Sequence, residues 1–229
     1  MKLRALLTKG EEIRFISHLD YASLIERALR RAGLPVAYSE GFNPHMKFSF
    51  ASALAVGTTS EAEVMDVELE HPMSQPEAWD RLSRSLPPGV KLLRLLPYEG
   101  KTKSLMALVD AASYRIVLPY AGTQEAAERA IEAFFAAPEA VYRRVLPKKT
   151  REIDAKPYIK EIKAEKDGDD LVLQLAVNIM QTGSLKPAEA IALLVEKFGL
   201  QTDAKAANIH RTSLTCGGRD LFALLPADG

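Results

Sequence analysis

One order of elements reads twice along this chain. In each half the apolar pattern predicts strand, helix, strand, strand, helix, strand. In the first half, Leu3, Ala5 and Leu7 alternate over a strand at 2–8. Ser17 with Asp20 forms a capping box that opens a helix running to Ala32, which Gly33 stops and Pro35 prevents from resuming. A short strand is predicted at 34–38 and an extended stretch at 48–51. At 63–70, Met65, Val67 and Leu69 alternate with Asp66, Glu68 and Glu70. Ser74 and Glu77 cap a second helix, Pro87-Pro88-Gly89 ends it, and a strand follows at 90–96.

The second half has the same order. A strand is predicted at 113–118, followed by a helix from Thr123 to Ala136. A basic stretch at 141–157 has no clear period and reads as irregular. Strands at 158–164 and 171–177 are joined by Lys166-Asp167-Gly168-Asp169, a hairpin connection with an Asp-Gly signal. A helix opened by Pro187 carries Ile191, Leu194, Val195 and Phe198 on one stripe, and the last strand covers 208–215. The expected fold class is therefore α+β: two tandem ferredoxin-like (βαββαβ) domains with antiparallel sheets. The expected boundaries are 1–97, a polar linker at 98–110, and 111–229. Helices on one face of each sheet would leave the other face free for a twin domain or a ligand.

The totals exclude several function classes. The 30 basic and 30 acidic residues cancel, so any attraction to nucleic acid must be local. Cys216 is the only cysteine, which leaves no intrachain disulfide and no thiolate-rich metal or iron–sulfur site built from this chain. No cofactor is expected in this chain. Met1 leads into Lys2-Leu3-Arg4 without an apolar leader, and no uncharged run is long enough to span a bilayer, so a cytoplasmic protein without membrane association is expected.

Polar groups that a plain core would not need concentrate at 13–57. His18 follows the Ser17 cap, where the helix terminus favours neutral imidazole, the form required of a base or a ligand. Arg27, Arg30 and Arg31 share one helix face and repel unless an anion joins them; guanidinium suits a bidentate oxyanion. The turn Gly41-Phe42-Asn43-Pro44 presents His45; Phe42 could stack on a base and His45 could contact phosphate or carry a proton. Arg143, Arg144, Lys148 and Lys149 head a second basic strip, bracketed by Tyr142 and Tyr158, with the character of an RNA-backbone contact. Arg211 lies on the last strand, where it is expected to face the free sheet surface. His18, Asp20 and His45 match no familiar metal spacing, and no metal site is expected.

At F-I-S-H-L-D (15–20), R-A-L-R-R-A-G-L-P-V-A-Y-S-E-G-F-N-P-H (27–45) and A-L-A-V-G-T-T-S-E-A-E (53–63), the chain resembles the bacterial radical-SAM-linked, or radical-SAM-associated, proteins. The resemblance is strongest from Phe15 to Glu68; Ser184, Pro187, Arg211 and Thr212 resemble the family's later marks. Met46 stands where the family often has proline after the loop histidine, which leaves that turn less rigid. The resemblance implies a cobalamin-binding radical SAM protein as partner, beside which members stand or behind which they are fused. It also implies an RNA substrate such as tRNA or rRNA, because the family's genes neighbour RNA-processing and ribosomal genes. At the level of fold the chain is also similar to tandem ferredoxin-like RNA-binding and RNA-cleaving proteins of CRISPR systems, although their glycine-rich C-terminal loop is not recognisable here.

Three functions remain open on this reading. The first is a non-catalytic accessory protein that presents RNA or a nucleotide-like substrate for modification by a radical SAM enzyme. The second is a metal-free RNase, or related phosphoryl-transfer enzyme, with His18 and His45 as acid and base. The third is a pure protein-interaction module.

Overall fold

The structure, a computed structural model, describes residues 1–100, 102–146, 149–180 and 183–225; the side chains of Leu146 and Lys149 lie outside that description. The chain groups into two compact units, Met1–Val109 with Ser213–Gly229, and Asp110–Thr212. It is an α+β protein. The residues from Ser213 on, expected with the second half, group with the first.

The first unit contains β1 (Lys2–Lys9), α1 (His18–Arg31), β2 (Phe48–Phe50), β3 (Thr58–Glu68), α2 (Gln75–Ser85), β4 (Leu92–Tyr98) and a single helical turn, α3 (Leu105–Leu108). Its strands lie in the order β2-β3-β1-β4, with each of these neighbours antiparallel. The predicted alternation on β1 holds: Leu3, Ala5 and Leu7 are buried against Tyr21, Ile25 and Leu29 of α1 and Ala78 and Leu82 of α2. Each leucine or isoleucine among them contributes roughly 1.5–3 kcal/mol by leaving water. The capping box is formed: Ser17 Oγ accepts from the Asp20 amide at 3.1 Å, and the Asp20 carboxylate accepts from the Ser17 amide at 3.3 Å. Gly33 ends the helix at a φ of +61°, a conformation that a side chain would strain.

The predicted strand at 34–38 is reduced to two isolated bridges, Val36 to Leu69 and Tyr38 to Met46. Within the stretch expected as a linker, Leu105 of α3 is buried and the helical turn packs near β2 and β3. The sheet face turned away from α1 and α2 is not free, because part of it is closed by a turn at Leu221–Ala223. Arg4 of β1, wholly buried, donates to the carbonyls of Leu221 and Leu224, and Arg94 of β4 stacks on Phe222 at 4.2 Å. Asp66 neutralises Arg4 through two bonds of 2.8 and 2.9 Å.

The second unit contains β5 (Ala111–Pro119), α4 (Gln124–Ala136), β6 (Val141–Leu146), β7 (Lys149–Asp154), β8 (Ile159–Asp167), β9 (Asp170–Met180), β10 (Gly183–Ser184), α5 (Pro187–Phe198) and β11 (Asn208–Cys216), whose last residues pass into the first unit. In the first unit β11 pairs with the short β12 (Arg219–Asp220). The second unit's main strands lie in the order β8-β9-β5-β11, and Phe134 of α4 meets Phe198 of α5 edge-on at 5.4 Å.

The stretch at 141–157, expected to be irregular, is mostly the antiparallel two-stranded ribbon β6–β7. Its charged side chains hide the period-two pattern that an apolar face would reveal. Cross-strand pairing supplies the order instead.

Candidate nucleic-acid interface

The β6–β7 ribbon gathers the second basic strip into one object. At its base, the Asp154 carboxylate accepts from the Ala140 amide at 3.0 Å, and the Ala155 amide donates to the Ala140 carbonyl at 2.8 Å. Register sets the faces: Tyr142 opposes Ile153 and Arg144 opposes Arg151 on one face, while Arg143 opposes Glu152 and Val145 opposes Thr150 on the other.

These arginines have different roles. Arg144 points at α5, where Nε meets Glu189 Oε1 at 2.7 Å and Nη2 meets Oε2 at 2.5 Å, with a further bond to the Ser184 carbonyl at 2.9 Å. Hydrogen bonding and the charge of Glu189 raise the Arg144 pKa above its ordinary value, against the effect of burial. Arg144 therefore fastens the ribbon to the unit. Lys197 of α5 adds a bond to the Val141 carbonyl at 2.6 Å. Arg143 pairs with Glu152 at 3.2 Å, but both side chains are largely exposed, and such a pair is worth only about 0–1 kcal/mol and exchanges readily for phosphate. Arg151 is exposed, and its side chain has no hydrogen bond or ion pair among the described residues. Lys148 lies outside the described residues, as does the side chain of Lys149.

In the first unit, the loop at 39–45 is closed by reciprocal bonds: the Ser39 amide donates to the His45 carbonyl at 2.8 Å, and the His45 amide donates to Ser39 Oγ at 3.0 Å. Gly41 takes a φ of +115°, open to a residue without Cβ. The closure thrusts Phe42 outward until its exposure reaches 110%, and Asn43, Pro44 and His45 are exposed beside it. A phenylalanine in that position contributes nothing to the core and is available for a contact.

His18 lies elsewhere. Half-buried, its ring meets Phe50 edge-on at 5.6 Å, in a cluster with Tyr21 and Phe48. Among the described residues the backbone of His45 makes two bonds to Ser39. The α1 arginines do not converge on one anion. Arg30 pairs with Glu26 at 3.0 Å, Arg31 donates to the Ser85 carbonyl at 2.7 Å, and Arg27 is exposed. Arg211 is fully buried and presents no surface to a ligand, contrary to the expectation that it faces a free sheet.

The sequence reading missed two buried cations, Arg4 and Lys9, the latter donating to the carbonyls of Arg14 at 3.1 Å and Ile16 at 2.9 Å. Their only signal was a position on the polar side of β1 or at its end. Among the described residues, no group of three or more His, Cys, Asp or Glu side chains is arranged to hold a metal ion, and no helix is long and apolar enough to cross a membrane.

The fold and these surfaces define an α+β protein of two compact units with a basic ribbon on the second. Over residues 2–187 the chain matches the family described as "Uncharacterized protein conserved in bacteria (DUF2344)", and it belongs to that family. No curated protein matches it. Its fold is similar to that of a chain in the crystal structure of a Cbf5–Nop10–Gar1 complex, with 11% identity and a TM-score of 0.50 over 93% of this chain and 48% of that one. A chain from an H/ACA RNP bound to a substrate RNA containing 2′-deoxyuridine is also similar, with 13% identity and a TM-score of 0.46 over 93% of this chain and 47% of that one. This chain thus spans about half the length of the solved chains it matches.

Proposed function

We propose that this protein is an RNA-binding accessory subunit of a radical SAM enzyme, built on two ferredoxin-like domains, and that the β6–β7 ribbon grips the RNA backbone. The domain reading is supported by the strand orders β2-β3-β1-β4 and β8-β9-β5-β11, each of which puts the first strand of its unit between the third and the fourth. The ribbon is then an insertion between the first helix and second strand of the second domain. The radical SAM partner, a cobalamin-binding protein, is supported by the resemblance of the 15–63 motifs.

The observation that carries the RNA reading is the ribbon itself. It is a two-stranded arm whose Arg144 is spent on anchoring while Arg143 and Arg151 stay exposed. The major groove of A-form RNA is too deep and narrow for side chains to read, so guanidinium groups on such an arm serve phosphates rather than base edges. In the first unit, Arg27, Phe42, Asn43 and His45 are the exposed candidates for further contacts, with Phe42 able to stack on an unpaired base.

Filter binding of a structured RNA across a salt series tests this. Removing two phosphate contacts with Arg143→Ala/Arg151→Ala lowers the slope of log K against log salt by about 1.4–1.8. Wild-type protein that retains no RNA at low salt, or a double variant with an unchanged slope, would overturn the reading. Co-purification with the radical SAM protein tests the partnership separately.

A further inference from the structure

The first unit contains a pocket that the RNA reading does not use. It measures about 310 Å³ and is lined by Lys2 of β1, Lys47, Ser49 of β2, Asp66 and Glu68 of β3, and Tyr98 of β4, with the stretch at 102–105 as one wall. That volume lies at the lower end of the roughly 300–1,000 Å³ usual for small-molecule sites. Register explains the convergence: Lys2 is paired with Glu68 on one side and Tyr98 on the other, and Ser49 with Asp66, so all five side chains leave the sheet on one face.

The charges in the pocket do not cancel. Asp66 is already held by the guanidinium of Arg4 through two bonds. Burial, reinforced by the Asp66 carboxylate, pushes the Tyr98 phenol well above its ordinary pKa, so Tyr98 stays a neutral hydroxyl. Glu68 faces Lys47 at 3.5 Å, across an exposed and loose pair. Lys2 and Lys103 have no acidic partner among the described residues. Two ammonium groups therefore stand uncompensated in the lining of a pocket whose Asp66 is already paired and whose Tyr98 is a neutral hydroxyl. Ser49 and Ser104 add hydroxyls there, and the Ser104 side chain makes no capping bond to α3.

We infer that this pocket binds a phosphate monoester the size of a mononucleotide, with Lys2 and Lys103 on the phosphate and Ser49 and Ser104 as hydrogen-bonding neighbours. Compact ammonium groups and hydroxyls suit a dianionic phosphate, and an Asp66 carboxylate already neutralised by Arg4 does not repel it. The inference does not depend on the ribbon.

Isothermal titration of the full chain with uridine 5′-monophosphate, with uridine, and with 5′-phosphorylated and 5′-hydroxyl oligoribonucleotides is the test. The expected result is that the nucleotide binds, that uridine binds at least about tenfold more weakly for want of its charge-assisted bonds, and that Lys2→Gln/Lys103→Gln removes that advantage. Arg143→Ala/Arg151→Ala leaves nucleotide binding unchanged, which separates this site from the ribbon. Competition by the 5′-phosphorylated oligomer alone identifies an RNA terminus as the source of the phosphate; its failure to compete identifies the free nucleotide. Equal binding of uridine and its monophosphate, no binding of either, or an undiminished phosphate preference in the lysine variant overturns the inference.

Discussion

Glu189→Ala is the sharpest test of how the ribbon is held. Glu189 is 9% and Arg144 20% exposed at the side chain, and the two share a bidentate contact. The same carboxylate accepts from the Lys186 amide at 2.8 Å, at the start of α5. Truncating it strands a partly buried guanidinium and removes an acceptor from a helix terminus. Breaking a buried pair from one side costs about 3–5 kcal/mol, and the residual exposure of Arg144 favours the lower end. At about 3 kcal/mol, a chain of this size loses roughly 6–12 °C in Tm. Calorimetry reads the loss, and hydrogen exchange places it in the amides of β6 and β7. Arg144→Met/Glu189→Leu restores most of the stability, because apolar side chains of similar volume replace the pair without a stranded charge. It also leaves the salt slope of RNA binding unchanged, since Arg144 is already neutralised. A Glu189→Ala protein within about 0.5 kcal/mol of wild type, the range of ordinary surface substitutions, would refute the anchoring role.

Three further outcomes follow from the first unit. Ser17→Ala loses about 1 kcal/mol in chemical denaturation through the lost cap. The Ser17 hydroxyl and amide hold the Asp20 pKa below its ordinary value, so the cap's contribution is complete above the unfolded pKa of about 3.9 and fades as pH falls through the lower folded one, a loss that Asp20→Asn abolishes in acid titrations. Phe42→Ala leaves Tm unchanged, whereas Phe50→Ala, which opens the cluster around His18 and Tyr21, costs about 3–5 kcal/mol in urea unfolding. Tyr98 has a raised pKa, so its contribution is present below about pH 10 and is lost as pH rises through the folded value; an ultraviolet titration shows a late tyrosine step that Tyr98→Phe removes.

The features legible beforehand are those that residues near one another decide. Ser17 and Asp20 are three positions apart, and their capping box could be written down from that spacing alone. The same holds for Gly33 after α1, the Asp167-Gly168 turn, and the alternation on β1 and β3. The exposed loop at 41–45 was also visible, because Gly, Asn and Pro together leave few backbone conformations.

What tertiary structure decided is how each charged side chain is used. Arg143 and Arg144 are neighbours of one chemical type, and only the ladder of β6 with β7 turns one to solvent and the other to Glu189, 45 residues away. Arg4 reads as an ordinary surface cation until Asp66, 62 residues on, and the Leu221 carbonyl, 217 residues on, close around it. Arg27, Arg30 and Arg31 share a helical face, yet two are claimed by Glu26 and by the end of α2. Local sequence determined the α+β elements, their caps and their order, because hydrophobic period and backbone propensity act over a few residues. The burial of Arg4, the anchoring of the ribbon at Glu189 and the pocket at Lys2 and Lys103 came from partners far along the chain, since charge is satisfied by proximity in space and the polar pattern of a strand does not name its partner.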